Sequence, residues 1–304
     1  MILLININIL PLALANNKNC LAKPQNCYTI KKTYLFYKIA MAWWQALILG
    51  IVEGLSEFLP ISSTAHLQLS GELIGVVSSD FSKSFSIFIQ LGAILAVLVV
   101  YLKTLWQRPK VILKLIAAFI PTAILGAFAY PIIKGYLLDS FGLMAITLGL
   151  GGLFILWFEN HYRTGRAVVQ DSSEITYRQA VIIGFCQSLA MVPGVSRSAA
   201  TIIGGLVLGL SRPAIVEFSF LLALPTMMAA TGLDLLESQW TFGRMEIIAL
   251  TIGSLAAFVT AWASVKWLLG FVRRHDFKVF GWYRIVLAVI LAIYFIREIK
   301  NFLL

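Results

Sequence analysis

Two short stretches of this chain place polar chemistry inside long apolar surroundings. The first is Glu53-Gly54-Leu55-Ser56-Glu57-Phe58-Leu59-Pro60-Ile61-Ser62-Ser63-Thr64-Ala65-His66. The second is Pro193-Gly194-Val195-Ser196-Arg197-Ser198-Ala199-Ala200-Thr201. Ionisable groups at membrane depth are costly, and by default they mark a functional site with a partner. The first stretch offers two carboxylates, several hydroxyls and an imidazole; the second offers a guanidinium, hydroxyls and a turn. Together they have the makings of a phosphate-handling centre.

Glu53 and Glu57 stand four apart, so on a helix they share one face. Two carboxylates that close repel unless something positive lies between them. A divalent cation held by few protein oxygens, with phosphate completing its shell, is the pattern of Mg²⁺ or Ca²⁺. Ser62, Ser63 and Thr64 follow Pro60 and should open a helix, which suits capping by a hydroxyl and anion binding at a helix N-terminus. His66 lies three residues beyond Ser63. Serine with imidazole in reach is an activated nucleophile; equally, His66 could attack phosphorus itself or protonate a leaving oxygen. In the second stretch Pro193-Gly194 makes a turn, Gly194 lets backbone approach a ligand, and Ser196 or Ser198 caps the next helix. Arg197 is an always-charged fork suited to phosphate. The expected substrate-binding set is Ser62, Thr64, Gly194, Ser196, Arg197, Ser198 and Thr201, with Glu57, Ser63, His66 and Arg197 catalytic and Glu53 and Glu57 on the metal. Glu217, which is structural or pairs with Arg197, and Asp234 are weaker signals.

The composition says where this chemistry sits. The chain has 304 residues, 60% of them hydrophobic and 12% charged, with mean hydropathy +0.87. A soluble domain is about 25% charged, so the expected class is all-α, a polytopic membrane protein. The net charge of +10 reflects basic cytoplasmic loops, not nucleic-acid binding. Cys20, Cys27 and Cys186 form no metal-type cluster and no disulfide framework.

Six stretches are long enough to cross a bilayer: 85–102, 115–133, 141–158, 214–236, 246–269 and 281–299. Two more apolar regions, 42–76 and 178–210, are each broken near the middle by proline and serine. Irregular backbone at membrane depth must be surrounded by protein or line a cavity, so each is expected to be a re-entrant helix hairpin. They also repeat: Pro60 and Pro193, Ser63 and Ser196, Gly71 and Gly204 are all 133 apart, while Gly50, Glu53 and Leu55 match Gly184, Gln187 and Leu189 after a one-residue gap. Each half, about 42–158 and 178–299, is then a hairpin plus three spans. Three crossings is odd, which implies an inverted-topology repeat with the hairpins meeting near the midplane. Twelve Lys and Arg, from Lys103 to Arg284, fall on one side against five on the other. That puts the first side in the cytoplasm and the first hairpin at the outer face. Residues 1–40 differ in character, a short apolar run without a preceding basic region and then scattered lysines, and read as an N-terminal extension that is either a signal-like segment or the product of an upstream start codon. Met41-Ala42-Trp43-Trp44 reads as a natural beginning, and 41–304 as a single membrane domain.

The two polar segments resemble the signature segments of the bacterial undecaprenyl-diphosphate phosphatase family, also called bacitracin resistance proteins. Ile89-Gln90-Leu91-Gly92-Ala93-Ile94-Leu95-Ala96, Tyr177-Arg178-Gln179-Ala180 and Glu217-Phe218-Ser219-Phe220-Leu221-Leu222-Ala223 agree as well. The resemblance runs from about Met41 to the C-terminus and departs at Ala199, where the family often has glycine. It implies hydrolysis of undecaprenyl diphosphate to the monophosphate and phosphate, recycling the lipid carrier of peptidoglycan synthesis, with a divalent cation, in the bacterial plasma membrane and with the site outward. It implies the lipid and the bilayer as partners and leaves a homodimer open. By position Glu53 and Glu57 match its acidic pair, Ser63 its serine, His66 its histidine and Arg197 its arginine. Two rivals remain distinguishable. Inverted repeats with broken hairpins are also transporter architecture, but a pure transporter releases no phosphate. The other membrane lipid phosphatase class needs a Lys-x6-Arg-Pro segment, and Lys103 to Arg108-Pro109 has the wrong spacing.

Overall fold

The computed structural model describes residues 41–132, 140–162, 169–237 and 242–303. The readings of residues 1–40, including Cys20 and Cys27, lie outside the described residues. Ten α-helices account for most of the chain described: α1 Trp43–Ser56, α2 Ser63–Leu73, α3 Asp80–Gln107, α4 Pro109–Ile132, α5 Phe141–His161, α6 Tyr177–Ser188, α7 Arg197–Val207, α8 Arg212–Glu237, α9 Arg244–Phe271 and α10 Lys278–Leu303. Helix starts carry the expected hydroxyls. Ser79 caps α3 through Ser82 N at 3.1 Å, and Thr176 caps α6 through Gln179 N at 3.2 Å.

Among the described residues, six helices are long and apolar enough to cross a membrane: α3, α4, α5, α8, α9 and α10. These are the six stretches expected from the sequence. The two proline-broken regions each form a pair of shorter helices that double back. The Gln45 side chain near the start of α1 donates to Ile74 O at the end of α2, at 3.0 Å. Gln179 near the start of α6 donates to Leu208 O at the end of α7, at 3.1 Å.

These two bonds are one feature seen twice. Gln45 and Gln179 stand 134 apart, as do the starts of α2 and α7, the left-handed residues Ser62 and Ser196, and the left-handed glycines Gly75 and Gly209. The spacing is therefore 134 through the turn as well as before it. The spacing of 133 read from the two prolines is off by one: Pro60 corresponds to Gly194, and Ser63 to Arg197. Packing follows the same exchange. α1 lies along α9, while α6 lies along α4; α3 packs on α9, and α8 on α4. α5 meets α10, and α3 meets α8.

The close pairs depend on missing side chains. A Cβ on Gly50 of α1 would come 2.3 Å from Gly253 O of α9, and one on Gly184 of α6 would come 2.0 Å from Ala118 O of α4. Small residues at such crossings let backbones approach, the usual source of helix association in lipid. At the first crossing Ser264 Oγ adds a bond to Leu55 O at 3.1 Å, and at the second Thr122 Oγ1 bonds Gly184 O at 3.0 Å. Overpacking typically costs about 1–3 kcal/mol. Gly50→Leu should therefore lower the thermal midpoint of the detergent-solubilised protein by several degrees or stop it accumulating. An unchanged midpoint would contradict this packing.

Candidate active site

The two turns are where helix geometry is interrupted on purpose. Among the described residues, Ser62 (φ 71°) and Ser196 (φ 72°) are the non-glycine positions with left-handed backbone. Such a conformation is strained for an L-residue and gathers at functional sites. Each serine immediately precedes a helix, so α2 begins at Ser63 and α7 at Arg197. The Ser196 hydroxyl caps α7 by accepting from Ala199 N at 3.3 Å, whereas that of Ser62 makes no such cap bond.

Glu57, Ser63 and Arg197 meet. The Ser63 hydroxyl donates to Glu57 Oε2 at 2.5 Å, and Arg197 Nη2 donates to Glu57 Oε1 at 3.0 Å. Arg197 Nη1 donates to Ser219 O at 2.7 Å, and the guanidinium carbon lies 5.6 Å from the centre of the Phe58 ring. The Phe58 ring in turn packs edge-on against Phe220 at 5.2 Å. The Arg197 Nε is buried without a partner, so one donor of the fork is unspent. All three residues line a cavity of about 200 Å³, together with Ser62, Thr64, Gly194 and Ser196. Two helix N-termini thus open into one polar cavity, the arrangement that favours an anion. On its other side stand Gln90, Thr122, Gln187 and Thr226. Gln187 donates to Thr122 at 2.9 Å and to Thr226 at 3.1 Å. This second wall escaped the sequence reading, although the repeat aligns Gln187 with Glu53.

Other expected site residues fall elsewhere. Ser198 and Thr201 are fully buried and do not line the cavity. Ser198 Oγ donates to Phe58 O at 2.8 Å, tying the second turn to the first. Thr201 Oγ1 bonds Arg197 O at 3.0 Å and Ser219 Oγ at 2.6 Å, beneath the arginine. Both brace the residues that line the cavity. Glu217 accepts from the Ser172 hydroxyl at 2.5 Å, which favours its structural reading over a pairing with Arg197.

His66 makes its hydrogen bonds away from Ser63. Its Nδ1 lies 2.7 Å from Ser62 O and its Nε2 2.7 Å from the Tyr283 hydroxyl, with the two rings stacked at 5.5 Å. A carbonyl only accepts, so Nδ1 carries the proton, and the lone pair of a neutral ring at Nε2 takes the tyrosine O–H. His66 lines a separate apolar cavity of about 530 Å³ with Leu55, Trp267 and Phe280. The base within reach of Ser63 is the Glu57 carboxylate.

Glu53 is fully buried, and neither of its carboxylate oxygens has a hydrogen-bond partner. It stands next to Glu57 in the same helical turn and does not itself line the cavity. A carboxylate so placed needs a proton or a cation. No group of three or more His, Cys, Asp or Glu suited to a metal occurs among the described residues. The two carboxylates are hard-oxygen donors, and a cation held there would need its remaining ligands from outside this pair.

The fold and this centre define an all-helical, multi-pass membrane protein built around a buried serine–carboxylate–arginine cluster. Residues 46–290 match the family model described as bacitracin resistance protein BacA, and the chain belongs to that family. It is 48% identical over 256 residues to an undecaprenyl-diphosphatase of Aquifex aeolicus, covering 84% of this chain and 100% of that one. Similar matches are to the undecaprenyl-diphosphatases of Wolinella succinogenes (47% over 251 residues, 83% and 97%) and Thermus thermophilus (46% over 257 residues, 84% and 98%).

Proposed function

We propose that this protein hydrolyses undecaprenyl diphosphate to undecaprenyl phosphate and inorganic phosphate. The observation that carries the proposal is the Ser63 hydroxyl bonded to Glu57, with Arg197 on the other carboxylate oxygen, at the mouths of two helices inside a membrane fold. The names of the relatives supply the substrate. Ser63 Oγ attacks the terminal phosphorus and passes its proton to Glu57. The bond from phosphorus to the bridging oxygen breaks, and the lipid monophosphate leaves into the bilayer. Glu57 gives that proton to the leaving monophosphate; it then accepts one from the water that attacks the phosphoserine and returns it to Ser63 Oγ as phosphate is released. Arg197 and the free N–H groups of the helix starts stabilise the charge that develops on the phosphoryl oxygens. Glu53 and Glu57 would hold a divalent cation, which when bound supplies positive charge to those oxygens.

The same reading gives the setting. The chain sits in the bacterial plasma membrane, with the two helix pairs re-entrant and the halves 42–158 and 178–299 arranged as inverted repeats. The exchange symmetry of the packing supports this. The site faces outward, where the spent carrier lipid of peptidoglycan synthesis is found. The family description implies that this activity confers bacitracin resistance.

Excess chelator should remove most hydrolysis by the detergent-solubilised protein, and Mg²⁺ or Ca²⁺ should restore it. Glu53→Gln should raise the cation concentration needed for half-maximal rate by at least about tenfold, because one of two charged ligands is gone. Full activity in chelator would leave Glu53 as the partner of a shared proton. Absence of phosphate release from undecaprenyl diphosphate under any of these conditions would overturn the proposed function itself.

A further inference from the structure

Arg284 of α10 is fully buried, and no carboxylate pairs with it among the described residues. The two terminal nitrogens of its guanidinium are spent on four backbone carbonyls, while Nε is buried without a partner. Nη1 donates to Pro60 O at 3.3 Å and Val195 O at 3.0 Å, and Nη2 to Gly194 O at 2.9 Å and Thr147 O at 3.3 Å. Pro60 and Gly194 are the equivalent positions of the two turns, 134 apart, each two residues before a left-handed serine. One planar cation therefore bridges the matching carbonyls of both hairpins. Its slot is built for it: a Cβ on Gly151 of α5 would come 2.2 Å from Nη2. Thr147 of the same helix also donates to Pro193 O at 2.6 Å.

A buried, unpaired cation is expensive and persists only where its hydrogen bonds are well satisfied. A flat fork can serve carbonyls on both sides at once, whereas an ammonium is a point with three donors. Three of the four carbonyls it holds, those of Pro60, Gly194 and Val195, lie one or two residues before Ser62 or Ser196, and so before Ser63 and Arg197. We propose that Arg284 is a positioning residue for the reaction: it cross-braces the two turns and so sets the separation of the Ser63 hydroxyl and the Arg197 guanidinium. It touches no substrate, because the turns stand between it and the polar cavity, whose lining does not include it. Loss of this brace would misplace the two catalytic groups relative to each other while leaving each in place on its own helix.

This rests on the phosphatase reading, and the test keeps the two apart. Arg284→Lys and Arg284→Ala are purified as the full chain and assayed on undecaprenyl diphosphate beside the parent protein and Ser63→Ala. The expected result for the folded fraction is kcat lowered at least about a hundredfold with KM within about threefold, and partial recovery of Arg284→Ala by added guanidinium, which lysine-like amines do not give. Gly151→Ala, which crowds the slot from the other side, should lower kcat in the same direction and serves if the Arg284 variants do not accumulate. Folded Arg284 variants with parental kcat would overturn the proposal, as would lost protein whose surviving fraction keeps parental specific activity. Inactivity of the parent protein would count against the phosphatase reading instead.

Discussion

Ser63→Ala should lower phosphate release by at least about a thousandfold while leaving the protein folded. Removing the nucleophile of a covalent route costs on this scale or more. The hydroxyl also holds Glu57 Oε2 at 2.5 Å, so its loss frees the base as well. Glu57→Gln should come close to the same loss, because an amide can neither take the serine proton nor balance Arg197. Residues that act as a unit are not additive. The double variant should then be no worse than the poorer single one. Steady-state phosphate release in detergent measures all three. A Ser63→Ala protein with a tenth or more of parental activity would remove serine from the chemistry and leave water as the attacking group.

Arg197→Lys should cost at least about tenfold in kcat/KM, equivalent to about 1.4 kcal/mol of transition-state binding. Lysine keeps the charge but cannot reach Ser219 O and Glu57 Oε1 through two parallel nitrogens, as Arg197 does at 2.7 and 3.0 Å. Its three donors radiate from one nitrogen, so none can stand where the unspent Nε does. The loss should appear mainly in kcat, since the developing phosphoryl charge meets the fork more strongly than the ground state does. Activity near the parental level would reduce Arg197 to a tie between the two hairpins, a role it shares with Ser198.

Much of this was legible in the residues. The six spans follow from apolar length, and Pro60 and Pro193 mark both breaks. Glu57, Ser63 and Arg197 stand out as polar groups where lipid-facing chain should have none. The differences between pattern and structure have physical causes. Ser63 and His66 share a helix face by spacing alone. The left-handed turn at Ser62 sets α2 so that Ser63 meets Glu57 while His66 looks to Tyr283 on α10. Nothing in a local pattern reports a contact between residues that distant in the chain. Arg284 looks like a loop charge because it lies near the start of a span; its partners are carbonyls, which leave no mark in the sequence. The shift from 133 to 134 arises because proline catches the eye, yet the equivalent of Pro60 is a glycine. Ser198 and Thr201 sit in the right motif but on the inner side of α7.

The central claim is that Ser63 attacks phosphorus with Glu57 as its base. Its most direct test is to mix the purified protein with undecaprenyl diphosphate, quench in acid within a single turnover, and locate any phosphoryl group by mass spectrometry of the digested chain. The account predicts an acid-stable phosphate on Ser63 that appears before free phosphate and is absent from Glu57→Gln. Phosphate released with Ser63 never labelled, or a label carried by His66, would contradict it.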